Sequence, residues 1–184
     1  MPEQHVRSKF LLHVCCAPCS IAVIDELKEK FDLTVFFYNP NIFPYDEYLK
    51  RKNEVVRVCR EWSVPIVDMD YDAEKWHKEV SAGLEMEPEG GMRCLLCIKF
   101  RLAKTVDYAA KNGFRYFGTS LTSGRNKNAE VINPIGVNFG KHYNIKFYDV
   151  DWKKDGRQEK GKKMVEERGI YRQNYCGCEY SIRP

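Results

Sequence analysis

Short apolar runs alternate with helix-length amphipathic stretches along nearly the whole sequence, and this alternation leaves few architectures open. Residues 10–14 form an apolar run that ends in a Cys/Pro turn, and residues 21–31 then place Ile21, Ile24, Leu27 and Lys28 at helical spacing. Residues 33–38 (LTVFFY) are rich in β-branched and aromatic side chains and stop at Asn39-Pro40, a strand followed by a breaker. A long helical pattern over 45–62 turns Tyr48, Val55, Val58 and Cys59 toward the core. A third strand is expected at 65–69, and a helix opened by an Asp cap at 72–82. Beyond the Gly/Glu-rich stretch 83–91, residues 95–111 are helical and end at Asn112-Gly113, before a strand at 116–119. An amphipathic segment over 128–143, interrupted by Pro134, precedes a strand at 145–150 and a basic helix at 156–168. Five strands separated by helices require crossover connections. The expected fold is therefore α/β, a single-domain doubly wound, mostly parallel sheet over 1–184, with helices on both faces and a basic, Cys-containing segment from about 151 to 184.

Ligands of such sheets bind beyond the carboxyl ends of the strands. Cys15, Cys16 and Cys19 fall there, where a nucleotide-binding relative keeps a glycine-rich phosphate loop. The turn reads HVCCAPCS, with neither glycine nor lysine. Phosphate binding is disfavoured at this turn and soft-ligand chemistry is favoured. A chain of 184 residues buries enough surface to stand without a disulfide scaffold. No stretch is long enough to span a bilayer, and residues 10–14 lack the flanks of a signal peptide, so the expected place is the cytoplasm, where thiols stay reduced.

Seven of the eight cysteines form three tight groups, CCAPC at 15–19, CLLC at 94–97 and CGC at 176–178. A CxxC at a helix start brings two sulfurs within reach of one metal, and the helix N-terminus favours the thiolate. Four readings compete. Structural zinc would use four cysteines and leave three idle, and a thioredoxin-like dithiol accounts for one CxxC alone. Intracellular disulfides could pair some of the residues, although adjacent Cys15 and Cys16 would form a strained bridge. An iron–sulfur cluster on Cys15, Cys16, Cys94 and Cys97 accounts for most of them. Cys176 and Cys178, separated by one glycine, suit a strained and exchangeable disulfide. The alternative is a second metal ion near Cys19, Cys176 and Cys178. Cys59, among Val55, Val56 and Val58, reads as a small core residue.

His13 faces the same side as Cys15 if the first strand alternates, but a satisfied core histidine is the favoured reading. His5, His77 and His142 form no motif. Tyr171, Arg172, Tyr175 and Tyr180 suit base stacking and phosphate contact as well as they suit ordinary packing. Residues 141–184 carry 11 basic side chains against 7 acidic ones, which accounts for the whole net charge of +4. A localised positive field suits a polyanion, and a solvated helix face explains it equally well.

The strings HVCCAPCS (13–20), YNPNIFPYDEY (38–48), RCLLCIKFRL (93–102), GTSLTSGRNKN (118–128), INPIG (132–136) and RQNYCGCEYS (172–181) together resemble the QueH family of epoxyqueuosine reductases. The resemblance spans nearly the whole chain and includes all three cysteine groups. It implies a cytoplasmic enzyme on a Rossmann-like sheet of the HUP or PP-loop kind. That enzyme would reduce epoxyqueuosine at the wobble position of tRNA to queuosine, the last step of queuosine biosynthesis, without cobalamin. It also implies a [4Fe-4S] cluster on Cys15, Cys16, Cys94 and Cys97, a redox-active pair at Cys176 and Cys178, a tRNA substrate and an unidentified electron donor. No membrane partner is implied. A departing epoxide oxygen needs an acid, for which His13 and Tyr175 are the candidates, and basic residues of 153–172, Lys162 and Lys163 among them, are expected to meet phosphates. The competing reading is a non-catalytic zinc- or iron–sulfur-containing RNA-binding module. A tRNA thiolase or nucleotide hydrolase on the same scaffold is disfavoured by the missing phosphate loop.

Overall fold

The computed structural model describes residues 6–183. His5 lies outside them. The strands are β1 (Lys9–Val14), β2 (Asp32–Phe37), β3 (Ile66–Asp68), β4 (Tyr116–Thr119) and β5 (Lys146–Phe147), and the helices are α1 (Ala17–Lys30), α2 (Tyr45–Glu61), α3 (Ala73–Trp76), α4 (Met92–Lys111), α5 (Ala129–Tyr143) and α6 (Arg157–Glu167). The five strands form one sheet in the order β3-β2-β1-β4-β5, with every neighbouring pair parallel. Chain order runs outward from β1 through β2 to β3, then returns to the other side of β1 for β4 and β5. The switch point therefore lies between the ends of β1 and β4, where doubly wound sheets hold their ligands.

Period-two alternation along the strands sorts the core into two layers. Phe10, Leu12, Val14, Val35 and Phe37 pack with Ile21 and Ile24 of α1, Val55 and Val58 of α2, and Val165 of α6. Leu11, Phe36, Phe117 and Phe147 pack on the opposite face with Val106 and Ala109 of α4 and Val137 of α5. Cys59 sits in the first layer as a buried small residue. No helix among the described residues is long and apolar enough to cross a membrane.

Five elements differ from their sequence expectation, α4 among them, which begins at Met92 rather than at residue 95. α1 starts at Ala17 rather than at residue 21, because Cys16 is extended and caps the helix while Pro18, which needs no amide partner in a first turn, lies inside it. The segment expected as one helix at 72–82 becomes α3 followed by a π turn over His77–Ser81. Residues 128–143 run through Pro134 as the single helix α5. The last strand pairs over Lys146–Phe147 alone, because β5 is an edge strand and the chain then turns inward at buried Trp152, whose indole N–H donates to the Thr119 carbonyl at 2.9 Å.

α5 approaches β5 closely through Gly140, where a Cβ would stand 2.5 Å from the Ile145 carbonyl oxygen. A backbone atom cannot yield as a side chain can. Gly140→Ala is expected to lower unfolding stability by about 1–3 kcal/mol, read from chemical denaturation; an unchanged midpoint would contradict the contact.

Candidate functional site

At the end of β1 the chain turns through Cys15 and enters α1 at Cys16, which offers no side-chain cap hydrogen bond. The free amides of the first turn lie at the same end as the sulfurs and favour negative charge there. The Sγ atoms of Cys15, Cys16 and Cys19 lie within 4.8 Å of one another, with Cys15 and Cys16 in contact at 3.8 Å. Hydrogen bonds with Cys16 and Cys19 pull the Cys15 thiol well below its ordinary value, while the same contacts push Cys16 up. Gln173 donates to the Cys16 sulfur at 2.8 Å, which ties the C-terminal segment to this turn.

Cys94 and Cys97 both lie within the first two turns of α4, which begins at Met92 and so takes in Cys94 as well. Arg93 accounts for the earlier start. Buried within the first turn, it donates Nη1 to the carbonyls of Leu84, Glu85 and Glu87 and lies 4.5 Å from the Tyr180 ring. The Gly90 amide donates to the Cys94 sulfur at 3.2 Å, and the Trp76 indole to the Cys97 sulfur at 3.4 Å. Cys97 packs with Trp76, Val80 and Cys178. The Cys176 sulfur is 3.2 Å from the ammonium of Lys127. Burial opposes that ammonium's charge, yet the Cys176 sulfur outweighs it and the Lys127 pKa stands above its ordinary value.

One side chain links all three cysteine groups. Arg101, one turn beyond Cys97, is 3% exposed and has no carboxylate partner among the described residues. Its nearest acceptors are Asn39 Oδ1 at 3.3 Å and the Cys97 carbonyl at 3.4 Å. Burial works against its charge, and the sulfurs of Cys97, Cys15, Cys176 and Cys178 outweigh burial, so its pKa is raised. Sequence reasoning missed Arg101, although its four-residue spacing from Cys97 on a helix was a readable signal. Lys127, in a loop, offered none.

Cys15 and Cys16 stand at the end of β1, and Cys94 and Cys97 in the first two turns of α4. Among the described residues, the group of three or more metal-ligating side chains with all ligand atoms within 4.8 Å is Cys15, Cys16 and Cys19. Cys19 thus joins the first turn, while Cys176 and Cys178 are not gathered around it. His13 is fully buried, with Nδ1 at 3.0 Å from Thr119 Oγ1 and Nε2 at 3.1 Å from the Tyr38 carbonyl. Burial lowers its pKa to about 4, so it is a satisfied core histidine with no proton to give near neutrality. The Tyr175 hydroxyl is likewise committed, to the Phe43 carbonyl.

A cavity of about 840 Å³ opens over Cys15, Cys19 and Cys176, and its walls carry Arg125, Lys127, Lys162 and Arg172. Many of the C-terminal cations are spent within the fold: Arg157 pairs with Glu26 at 2.8 Å, Lys160 with Asp25 at 2.6 Å and Arg168 with Glu61 at 2.5 Å. Lys163 faces Glu167 at 3.7 Å and does not line the cavity, which narrows the expected phosphate contacts to a few side chains.

A family model described as Epoxyqueuosine reductase QueH matches residues 10–184. Epoxyqueuosine reductase QueH of Acinetobacter baylyi is 43% identical over 177 residues, which cover 95% of this chain and 81% of that protein. Its counterpart in Haemophilus influenzae is 39% identical over 185 residues, covering 100% of this chain and 74% of the relative. The Thermotoga maritima counterpart is 38% identical over 175 residues, covering 94% and 89%. Among solved structures, the U34-tRNA thiolase NcsA from Methanococcus maripaludis, with its [4Fe-4S] cluster, aligns at a TM-score of 0.60 and 11% identity, covering 98% of this chain and 64% of that one. That last likeness is one of fold alone, and the doubly wound α/β sheet is the part of the expectation it supports. With the family match running from β1 to the last residue and relatives near 40% identity over almost the whole chain, the protein belongs to the QueH family of epoxyqueuosine reductases.

Proposed function

We propose that this reductase removes the epoxide oxygen of epoxyqueuosine at the wobble position of a tRNA, using an iron–sulfur cluster held at the switch point of the sheet and a dithiol beside it. The observation that carries the reading is Arg101, a buried guanidinium with no carboxylate among the described residues and with sulfurs of all three cysteine groups around it. A buried cation needs a compensating anion. A four-thiolate iron–sulfur cluster is a net anion of the right softness and donor type, so the residues fit the group. Cys15, Cys16, Cys94 and Cys97 are the proposed ligands, with Cys19 in contact with the first two. A bound cluster supplies electrons one at a time at a potential tuned by its thiolates and their hydrogen bonds.

The remaining chemistry belongs to the chain. Converting the epoxide to an alkene breaks two C–O bonds and releases water, consuming two electrons and two protons. Closing Cys176 and Cys178 to a disulfide yields two electrons and two protons, which balances the step, and an external donor then reopens the bridge. Lys127, at 3.2 Å from the Cys176 sulfur and on the cavity wall, holds positive charge beside the dithiol where the epoxide oxygen develops negative charge. Arg125, Lys162 and Arg172 at the rim are the proposed phosphate contacts for an anticodon loop.

Anaerobically purified protein is expected to absorb broadly in the visible and to carry about four iron and four sulfide per chain. A colourless protein with about one zinc would overturn the cluster reading in favour of a structural metal module. Cys94→Ala is expected to lose iron and turnover together, and full iron retention would refute its assignment. Arg101→Met is expected to lower iron and sulfide content in the folded protein, measured on the same samples; wild-type loading would remove the electrostatic argument. Binding of an anticodon stem-loop should weaken steeply with salt, and replacing Lys162 and Arg172 by alanine should reduce the log–log salt slope by roughly two. An unchanged slope would place the phosphates elsewhere.

A further inference from the structure

Arg51 lies on α2, wholly buried, and donates Nε to Oε1 of Glu47, one turn earlier, at 2.7 Å. Both of its terminal nitrogens reach the backbone of the C-terminal segment, Nη1 to the Cys176 carbonyl at 2.7 Å and Nη2 to the Tyr175 carbonyl at 3.1 Å. The second oxygen of Glu47 accepts the Tyr171 hydroxyl at 2.8 Å. Beside this grip, the Phe43 amide donates to the Gly177 carbonyl at 2.8 Å. Gly177 has φ +154°, and a Cβ there would stand 3.0 Å from Asn41 Nδ2 and 3.2 Å from Arg51 Nη1. The peptide between the two cysteines is therefore held against the start of α2 on several sides.

The two thiols occupy different surroundings. Cys176 accepts from Lys127, whereas Cys178 is buried against Trp76, Val80 and Cys97. A disulfide needs its sulfurs about 2 Å apart and a restricted torsion, so closing the Cys-Gly-Cys ring must carry at least one sulfur out of its place and turn the peptide that Arg51 grips. A buried ion pair adds little stability over apolar residues of the same volume, so its use is best sought in geometry. Only a guanidinium offers three fixed N–H directions to one carboxylate and two carbonyls.

We propose that the Glu47–Arg51 pair is a positioning device for Cys176 and Cys178, holding them as a parted dithiol and setting how readily they close to a disulfide. The inference rests on the dithiol role proposed above. In the reaction that tests it, the dithiol and oxidised glutathione give the protein disulfide and two molecules of glutathione thiol, so atoms and electrons balance.

The experiment equilibrates the anaerobic holoprotein with glutathione buffers and reads the Cys176–Cys178 disulfide by alkylation and mass spectrometry in wild type, Arg51→Met, Arg51→Lys and Gly177→Ala. Arg51→Met and Gly177→Ala are expected to raise the closure constant by roughly tenfold or more, with Arg51→Lys between them and wild type. In both, kcat should fall by roughly tenfold while KM for tRNA stays within about twofold and iron and sulfide are unchanged. Gly177→Ala attacks the contact from the other side and decides the matter should Arg51→Met fail to fold. Closure constants within about twofold of wild type in the folded variants would overturn the proposal. Cys176→Ser and Cys178→Ser, assayed in parallel, separate the two ideas: full turnover in them defeats the dithiol role, whatever Arg51 does to the closure constant.

Discussion

A guanidinium shut away from water with no carboxylate beside it is the constraint around which this molecule is arranged. Removing such a charge from solvent costs several kcal/mol unless nearby anions meet it, and around Arg101 those anions are sulfurs from β1–α1, from α4 and from the C-terminal segment. Segments far apart in the chain therefore share one electrostatic condition. α4 carries the means of meeting it at one-turn intervals, with Arg93, Cys97 and Arg101 on a single buried stripe. Arg93 fixes the 83–91 loop at one end, Arg101 faces the sulfurs at the other, and Cys97 lies between them.

The sheet explains why this happens where it does. A parallel sheet that winds outward both ways from β1 opens a crevice at the ends of β1 and β4. Most occupants of such crevices are met by a glycine-rich turn whose backbone amides hold phosphate. Here CCAPC stands in that turn, so the helix N-terminus has three sulfurs beside it instead. The likeness to a tRNA thiolase at 11% identity is consistent with this division of labour, since the fold supplies the crevice and the grafted side chains decide the chemistry.

Much of the scaffold was legible because strands and helices leave periodic signals. The apolar run at 10–14 and the β-branched and aromatic run at 33–38 predicted β1 and β2, and the three cysteine groups were conspicuous by spacing alone. The errors cluster where local preference is overridden. α1 begins earlier because an extended cysteine and a first-turn proline start it, and β5 is shorter because an edge strand has one neighbour to define it. Within the candidate site, the cysteine spacing and the rim cations Lys162 and Arg172 were visible in the sequence, whereas the partners of Lys127 and Arg51 were not. Lys127 meets a partner 49 positions away and Arg51 one 125 away, and no local pattern encodes contacts across such distances. Conversely His13, which shares a face with Cys15, has both ring nitrogens occupied by Thr119 and Tyr38.

Positive charge serves two separate purposes here, and counting charges along the chain conflates them. The C-terminal excess suggested a surface for a polyanion, yet Arg157, Lys160 and Arg168 are bound to acidic residues of α1 and α2 and tie α6 to those helices. What remains at the cavity rim sits in water, where salt screens its reach to about 10 Å. Arg51 and Arg101 sit where no such screening operates, one bonded to the backbone that carries Cys176 and the other facing the sulfurs, which is how each is proposed to act on sulfur chemistry. In the proposed reaction, rim cations therefore tune how strongly a tRNA is held without altering electron transfer, while Arg51 and Arg101 alter electron transfer without changing how the tRNA docks. The proposed binding and redox roles are thus separated by burial, with Lys162 and Arg172 on the cavity wall and Arg51 and Arg101 in the interior.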